Sequence, residues 1–361
     1  MSDTTRPARA QPPGPANLPS RASSIREVAA RAGVSVGTVS NVLNRPELVA
    51  DGTRERVRLA IEELGFVPND SARQLRAGSS RAIGVVVLDV ANPFFTEVVR
   101  GVEDAVNAHG YVVMLCSSDD SADKEGRYLR LLEEQRVLGV LITPVQRDAG
   151  YLRRLRARGI RVVLLDRPST SKELCSVAVD DVLGGELAAT HLLAQGHSRL
   201  GFVNGPVAIR QCADRRRGVR RAVKAAGLDP AEAVVEVTRP ALNAREGEAS
   251  VEALLAARPR PTAVFCANDL LALGVLRGLV RRGMSVPDDL ALVGYDDIEF
   301  AAMLSTPLTS VHQPTYRLGQ AAAELLLAEA HEPDGHRHVQ TMFRPELVVR
   351  ESSAGQATRP G

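Results

Sequence analysis

The sequence predicts an α/β protein in two parts: an N-terminal three-helix module of helix-turn-helix type, and a larger body of two α/β lobes. Three observations carry this prediction. Between residues 23 and 65, apolar side chains recur at helical spacing in three short runs, two of them ended by glycine. From Ala82 the pattern changes to short continuous apolar runs alternating with helical stretches, as in a parallel sheet covered on both faces. That alternation runs to about residue 165 and restarts near 200, so two successive sheets with a cleft between them are expected.

Residues 1–22 hold Pro7, Pro12, Pro13, Pro15 and Pro19 and almost no large apolar groups, which predicts a disordered tail. Arg6, Arg9 and Arg21 could touch phosphates, but a solvated leader is the plainer reading. In the first helix Ile25, Val28, Ala29 and Ala32 form one stripe. Gly33 ends it as a left-handed residue, and Ser35 can cap the next helix. In that second helix Val39, Val42 and Leu43 are the apolar side, and Gly37, Ser40, Asn41 and Asn44 lie opposite. A short helix with a small, uncharged, hydrogen-bonding outer face suits insertion into a DNA major groove. Asn pairs with adenine edges, and Ser or Thr, here including Ser35 and Thr38, reaches phosphates or bases. An ordinary pair of antiparallel helices at a domain edge would share the pattern.

A third helix is expected over 53–64, with Val57, Ala60, Ile61 and Leu64 on one face and Gly65 after it. Its Arg54, Arg56 and Arg58 either sit over phosphates or only keep the helix soluble. Residues 69–76 could form one or two helical turns, too short to be stable alone, before a Gly/Ser linker. Asn69, Ala72 and Leu75 share a face there, and an apolar Leu75 beside a DNA-reading module suggests a wedge into the minor groove. Strands follow over 83–88, 111–116, 138–143 and 161–165, with helices near 95–109, 122–135 and 149–158. The second set has strands over 200–203, 234–237, 263–266 and 290–293, and helices near 184–195, 213–226, 244–257 and 269–282. No glycine-rich phosphate loop follows the first strand.

Composition limits the functional classes. Net charge is only +2, and residues 1–80 carry 11 Lys/Arg against 8 Asp/Glu, so a DNA-binding claim must rest on the motif. Cys116, Cys175, Cys212 and Cys266 show no C-x-x-C spacing and read as buried reduced thiols. No apolar run approaches the roughly 20 residues of a membrane helix, and the N-terminal stretch has no apolar signal core. A cytoplasmic protein without cofactor or metal is expected, with His191, His197 and His312 structural.

The residues resemble the LacI-type (lactose repressor) family of transcriptional regulators over about 24–350. The resemblance rests on Val28-Ala29, Gly33-Val34-Ser35, Thr38-Val39-Ser40, Ala72-Arg73-Gln74-Leu75, Asn268-Asp269, Val293 to Asp297, Thr306 to Thr309, and His312-Gln313-Pro314. It implies a homodimer whose headpieces read a near-palindromic double-stranded operator, with Val36, Gly37 and Asn41 setting sequence preference and Leu75 wedging into the central step. Gly37 has no side chain to read with, which shifts specificity to Asn41 and Val36. Ala50 stands where the family usually has a capping Ser or Thr, so Asp51 is expected to cap the third helix.

The family resemblance further implies a body with the periplasmic-binding-protein-like fold, closest to ribose-type sugar binders. Asn92, Phe94, Phe95, Asp166, Arg167, Arg215, Asn268, Asp296 and Gln313 then fall at effector-contact positions. Aromatic faces would stack on the sugar while the polar groups divide its hydroxyls. Leu242 stands about where ribose binders carry a further aromatic. The implied organisation is a tail (1–22), headpiece (23–68), hinge helix and linker (69–80), body (81–350) and flexible tail (351–361). Within the body, lobe 1 takes about 81–180 and 314–342, and lobe 2 takes 181–312 and 343–350.

An enzyme using Asp166 and Asp296 as a carboxylate pair lacks a nucleophile, metal ligands or a phosphate loop beside them. A sugar transport component would need a signal peptide and no headpiece. The remaining alternatives are a repressor released by a small sugar, ribose or pentose favoured, and a corepressor-dependent regulator using a purine or phosphorylated metabolite. The Asp166-Arg167 pair argues against a purine.

Overall fold

The computed structural model describes residues 23–66, 80–145, 150–333 and 335–354, and the chain divides into two compact units between Ala77 and Gly78. The predicted tail 1–22 and the hinge residues Asn69, Ala72 and Leu75 lie outside the described residues.

In the first unit, α1 spans Ile25–Ala32, α2 Val36–Asn44 and α3 Asp51–Leu64. Ser24 and Glu27 form a reciprocal capping box on α1, and Gly33 ends it at φ 66°. Ser35 Oγ accepts from the Thr38 amide at 3.0 Å, starting α2 as expected. Val28, Ala29, Ala32, Val39, Val57 and Ala60 are the buried centre, with Ile25, Val42, Leu43, Ile61, Leu64 and Phe66 packed around them. The cap of α3 corrects the sequence reading. Ala50 holds the N-cap position without a side-chain bond, and Asp51 is the first helical residue, its carboxylate taken by Arg54. One position into the helix, a carboxylate favours the helix dipole but does not cap.

In the second unit, the first sheet comprises β1 (Ala82–Val87), β2 (Val112–Ser117), β3 (Gly139–Ile142), β4 (Arg161–Leu165), β5 (Cys175–Val179) and β11 (Gln340–Phe343). They lie in the order β11-β5-β4-β3-β1-β2, all parallel. The second has β6 (Leu200–Asn204), β7 (Val234–Thr238), β8 (Ala263–Cys266), β9 (Ala291–Asp296), β10 (Thr309–His312) and β12 (Glu346–Val348). Its order is β12-β10-β9-β8-β6-β7, and only β12 runs antiparallel. Helices α4 (Pro93–Asn107), α5 (Ala122–Glu134), α6 (Gly150–Ala157) and α12 (Thr315–His331) belong with the first sheet. The second carries α7 (Asp181–Ala194), α8 (Arg210–Ala225), the short α9 (Pro230–Ala233), α10 (Ala244–Ala256) and α11 (Asp269–Val280). The chain passes between lobes after β5, after β10 and between β11 and β12.

Three helix pairs close to backbone contact, each through a glycine from both partners: Gly101 and Gly319, Gly185 and Gly218, Gly247 and Gly274. A Cβ at any of these six would lie 1.9–2.2 Å from a carbonyl oxygen of the facing helix.

The sequence reading missed β5, β10, β11 and β12. Each has at most five residues, too few to show a period, and two are edge strands of four and three residues. The flexible tail predicted from 351 also needs correction, because Glu351–Ser353 form a 3-10 turn whose two serines are buried. Ser352 Oγ donates to Leu292 O at 2.6 Å and accepts from the Thr309 amide at 2.8 Å, while Ser353 Oγ bonds Thr309 Oγ1 at 2.7 Å. The short serine side chains thus satisfy backbone groups at the adjoining ends of β9 and β10. No described helix is long and apolar enough to cross a membrane, and all four cysteines are free and buried.

Candidate functional site

Two surfaces carry the predicted residues. On α2, Val36, Gly37 and Asn41 are exposed, whereas Thr38 and Ser40 are half-buried. Ser35 and Thr38 engage one another at the cap, with their hydroxyl oxygens 2.9 Å apart. Asn44 turns its amide back onto its own helix, donating to Ser40 O at 2.8 Å. The outward face is therefore narrower than the helical wheel suggests and is led by Val36, Gly37 and Asn41. On α3, Arg54 pairs with Asp51, and Arg58 with Glu55 and Glu62, so two of its three predicted arginines are engaged along their own helix.

The second surface is a cavity between the lobes, about 600 Å³ with its open mouth, where the strands' C-terminal ends meet. Seven of the nine predicted residues line it: Asn92, Phe94, Phe95, Asp166, Arg215, Asn268 and Asp296. Arg167 and Gln313 do not. Arg167 donates to Pro144 O at 2.9 Å, so its half of the case against a purine is lost. Gln313 stands behind Asp296 and donates to Oδ1 at 2.8 Å. The Phe94 and Phe95 rings meet edge to face at 5.0 Å and belong to the first lobe's core while reaching the cavity wall.

Several of these polar groups also hold the walls together. Asn92 caps α4 through Phe94 N at 3.1 Å and reaches across the lobes to Asp296 Oδ2 at 3.4 Å. Asn268 caps α11 through Leu271 N at 2.9 Å and donates to Leu242 O at 3.0 Å. Gly294 leaves room for the buried Asp269 carboxylate, which accepts from Ser310 Oγ at 2.7 Å and from Ile298 N at 3.0 Å. Arg215 is buried and held by three neighbours. Its Nε donates to Asp181 Oδ1 at 2.8 Å, its Nη1 to Ala267 O at 2.5 Å, and its guanidinium lies 3.6 Å from the Tyr295 ring centre. Tyr295 in turn donates to Asp181 at 2.9 Å.

The charge state is set by burial. Desolvation pushes Asp296 up to about 6, against Arg215 and the hydrogen bonds from Asn92 and Gln313. Burial likewise raises Asp166, with repulsion from Asp181 adding to it and Arg215 and Gln211 opposing. Burial opposes the charge on Arg215, but Asp181 and Asp296 more than offset it, and the neutral Tyr295 ring faces the guanidinium. Asp166 and Asp296 sit at φ 52° and 106°, strained positions at strand ends of the kind that cluster in ligand sites. Asp166 Oδ1 is buried with no partner.

The sequence reading missed Gln211 and Asp120 on the cavity wall. Gln211 Nε2 donates across the lobes to Asp166 O at 2.7 Å and Oδ2 at 2.8 Å. It stands at the start of α8 and not at a strand end, so the strand-end rule could not find it. The Asp181–Arg215–Tyr295 cluster joins residues more than a hundred positions apart, a separation no local pattern spans. His191, His197 and His312 bond Ser353, Thr262 and Asp297.

Residues 24–69 match the family described as bacterial regulatory proteins, lacI family, and residues 189–353 match the periplasmic binding protein-like domain. The HTH-type transcriptional repressor PurR of Aliivibrio salmonicida (strain LFI1238) is 36% identical over 332 residues, 91% of this chain and 98% of the relative. Among solved structures, the transcriptional regulator CelR–cellobiose complex superposes with a TM-score of 0.68 at 33% identity, covering 92% of this chain and 100% of that one. A LacI family regulator from Enterococcus faecium with bound ribose gives 0.70 at 29% identity, over 76% and 98%. The lac repressor dimer bound to operator and the anti-inducer ONPF gives 0.78 at 27%, over 93% and 100%. With the helix-turn-helix and the two parallel-sheet lobes in place, the chain belongs to the LacI family of DNA-binding transcriptional repressors, and it is a regulator and not an enzyme.

Proposed function

We propose that the chain is a cytoplasmic homodimeric repressor that a small uncharged sugar, ribose or a related pentose, releases from its operator. The observation that carries this reading is the buried, partnerless Asp166 Oδ1 in a cavity walled by polar groups of both lobes. A buried acceptor left without a partner on a wall residue calls for a hydroxyl donor, and Phe94 and Phe95 on the same wall offer its carbon skeleton an apolar face. Asp89, Asp120, Asp166 and Asp296 face the cavity against Arg215 alone, which disfavours a phosphorylated ligand. The ribose and cellobiose complexes among the structural neighbours support a sugar.

A second reading, a purine acting as corepressor, is supported by the 36% identity to a relative named PurR. In either reading the lobes hinge about the bound ligand. Closure alters how paired 69–76 segments, with Asn69, Ala72 and Leu75, hold the headpieces on DNA.

A thermal-shift screen of the full chain against D-ribose, other pentoses, hexoses, disaccharides and purines separates the two. A rise in melting temperature with a sugar that also frees operator DNA supports the first reading. A rise with a purine that tightens operator binding overturns it. Asp166→Asn should weaken the sugar about tenfold, from the loss of one hydrogen bond to a buried carboxyl oxygen, and leave ligand-free operator binding unchanged.

A further inference from the structure

At the N-terminal end of β5, the opposite end of the first sheet from the cleft, the fold gathers four metal-ligating side chains that the sequence reading passed over. We propose that Cys175, Glu329, His336 and His338 form a closed four-ligand site for a zinc-class divalent cation. Their donor atoms all lie within 4.8 Å of one another. Cys175 Sγ is 3.1 Å from His336 Nε2 and 3.5 Å from His338 Nδ1. Zinc binds thiolate at about 2.3 Å and imidazole at about 2.0–2.1 Å. A tetrahedron with those bonds spaces its donors roughly 3.3–3.6 Å apart, so the two histidines already stand near ligating distance of the sulfur.

An independent observation points to the same missing partner. Glu329 is only 9% exposed, and its Oε2 is buried with nothing to bond, a state that buried carboxylates rarely keep. The charges also balance: a thiolate and a carboxylate neutralise a dication, and two neutral imidazoles complete the set. The Val339 amide donates to Cys175 Sγ at 3.4 Å, a bond that a metal-bound sulfur can keep. Arg156 approaches His338 Nε2 at 3.1 Å. Ligation through Nδ1 leaves the ring proton on Nε2, so Arg156 must turn away as the ion enters.

Binding exchanges the Sγ–H bond for a metal–sulfur bond and releases that proton to solvent, so affinity rises with pH. The ion joins the start of β5, the last turn of α12 and the segment leading into β11. With four protein ligands it is a structural clamp, not a catalytic centre.

Cobalt and zinc titrations of the tag-free full chain, stripped with chelator, test the site. The expected result is one Co²⁺ per chain, a thiolate-to-cobalt charge-transfer band with tetrahedral visible bands, and displacement by Zn²⁺. His336→Ala with His338→Ala should weaken binding more than about 100-fold and abolish the band, while Cys116→Ala should change neither. Should the double variant misfold by circular dichroism, His336→Gln at its half-exposed position gives the same readout. Absence of stoichiometric binding, a cobalt spectrum without the thiolate band, or full affinity in the histidine variant overturns the proposal.

Discussion

Asp296 shows how a single buried carboxylate reports on the cleft. Its folded-state pKa of about 6 exceeds the ordinary value of 3.8. Its relative stabilisation is therefore fully present below 3.8 and lost as pH rises through about 6, so the native protein carries a penalty at pH 8. Asp296→Asn removes that titration. Ligand-free, the variant should exceed the native protein in stability above pH 6, by less than the roughly 3 kcal/mol that two pKa units represent. The gain is partial because the new amide faces a donor, Gln313 or Asn92, where a carboxylate oxygen stood. Toward pH 4, where Asp296 is protonated and only the amide's cost remains, the order should reverse, with the variant slightly the less stable, and denaturant titrations at four pH values would show it; a pH-independent difference would sink the assignment. The residue scale is also where the sequence was partly silent. Asp166, Arg215 and Asp296 were legible because they follow apolar strands or belong to a family pattern. Gln211 and Asp120 were not, because cavity walls drawn from helix starts leave no periodic trace.

At the scale of elements, the Val- and Leu-rich strands and the amphipathic helices of both units were legible because burial on a sheet or stripe dictates their period. The Cys-Ser-Val-Ala-Val strand β5 was not, since its small residues are buried by neighbours that arrive from far along the chain. The outer face of α2 yields a prediction of its own. A Cβ at Gly37 would meet only Ser35 Oγ, at an ordinary 3.6 Å, and its backbone is helical. Gly37→Ala should therefore stabilise the headpiece by up to about 1 kcal/mol, visible as a higher melting temperature of the first unit. If α2 reads bases, the added methyl should also redistribute operator preference, measured by selection from a randomised operator pool. An unchanged preference would remove Gly37 from the reading face.

For the whole molecule, the two lobes meet through Gln211 to Asp166 and Asn92 to Asp296, so the cleft's own polar groups act as its latch. Gln211→Ala should shift the ligand-free lobes toward an open arrangement, read as a larger radius of gyration or a longer distance between labels on the lobes. Saturating ligand should bring the variant and the native chain to one closed value, whereas no difference between them without ligand would mean that the latch has no energetic weight. The C-terminal segment has a different consequence. The first sheet lacks its edge until β11 is present, and the second lacks β12 and the Ser352–Ser353 bonds that seal β9 and β10. The headpiece core lies wholly within residues 25–66. On the ribosome, at about 5–20 residues per second, the DNA-reading unit thus emerges complete tens of seconds before either lobe can close. For that interval the nascent chain carries a reader of DNA and no finished sensor to govern it.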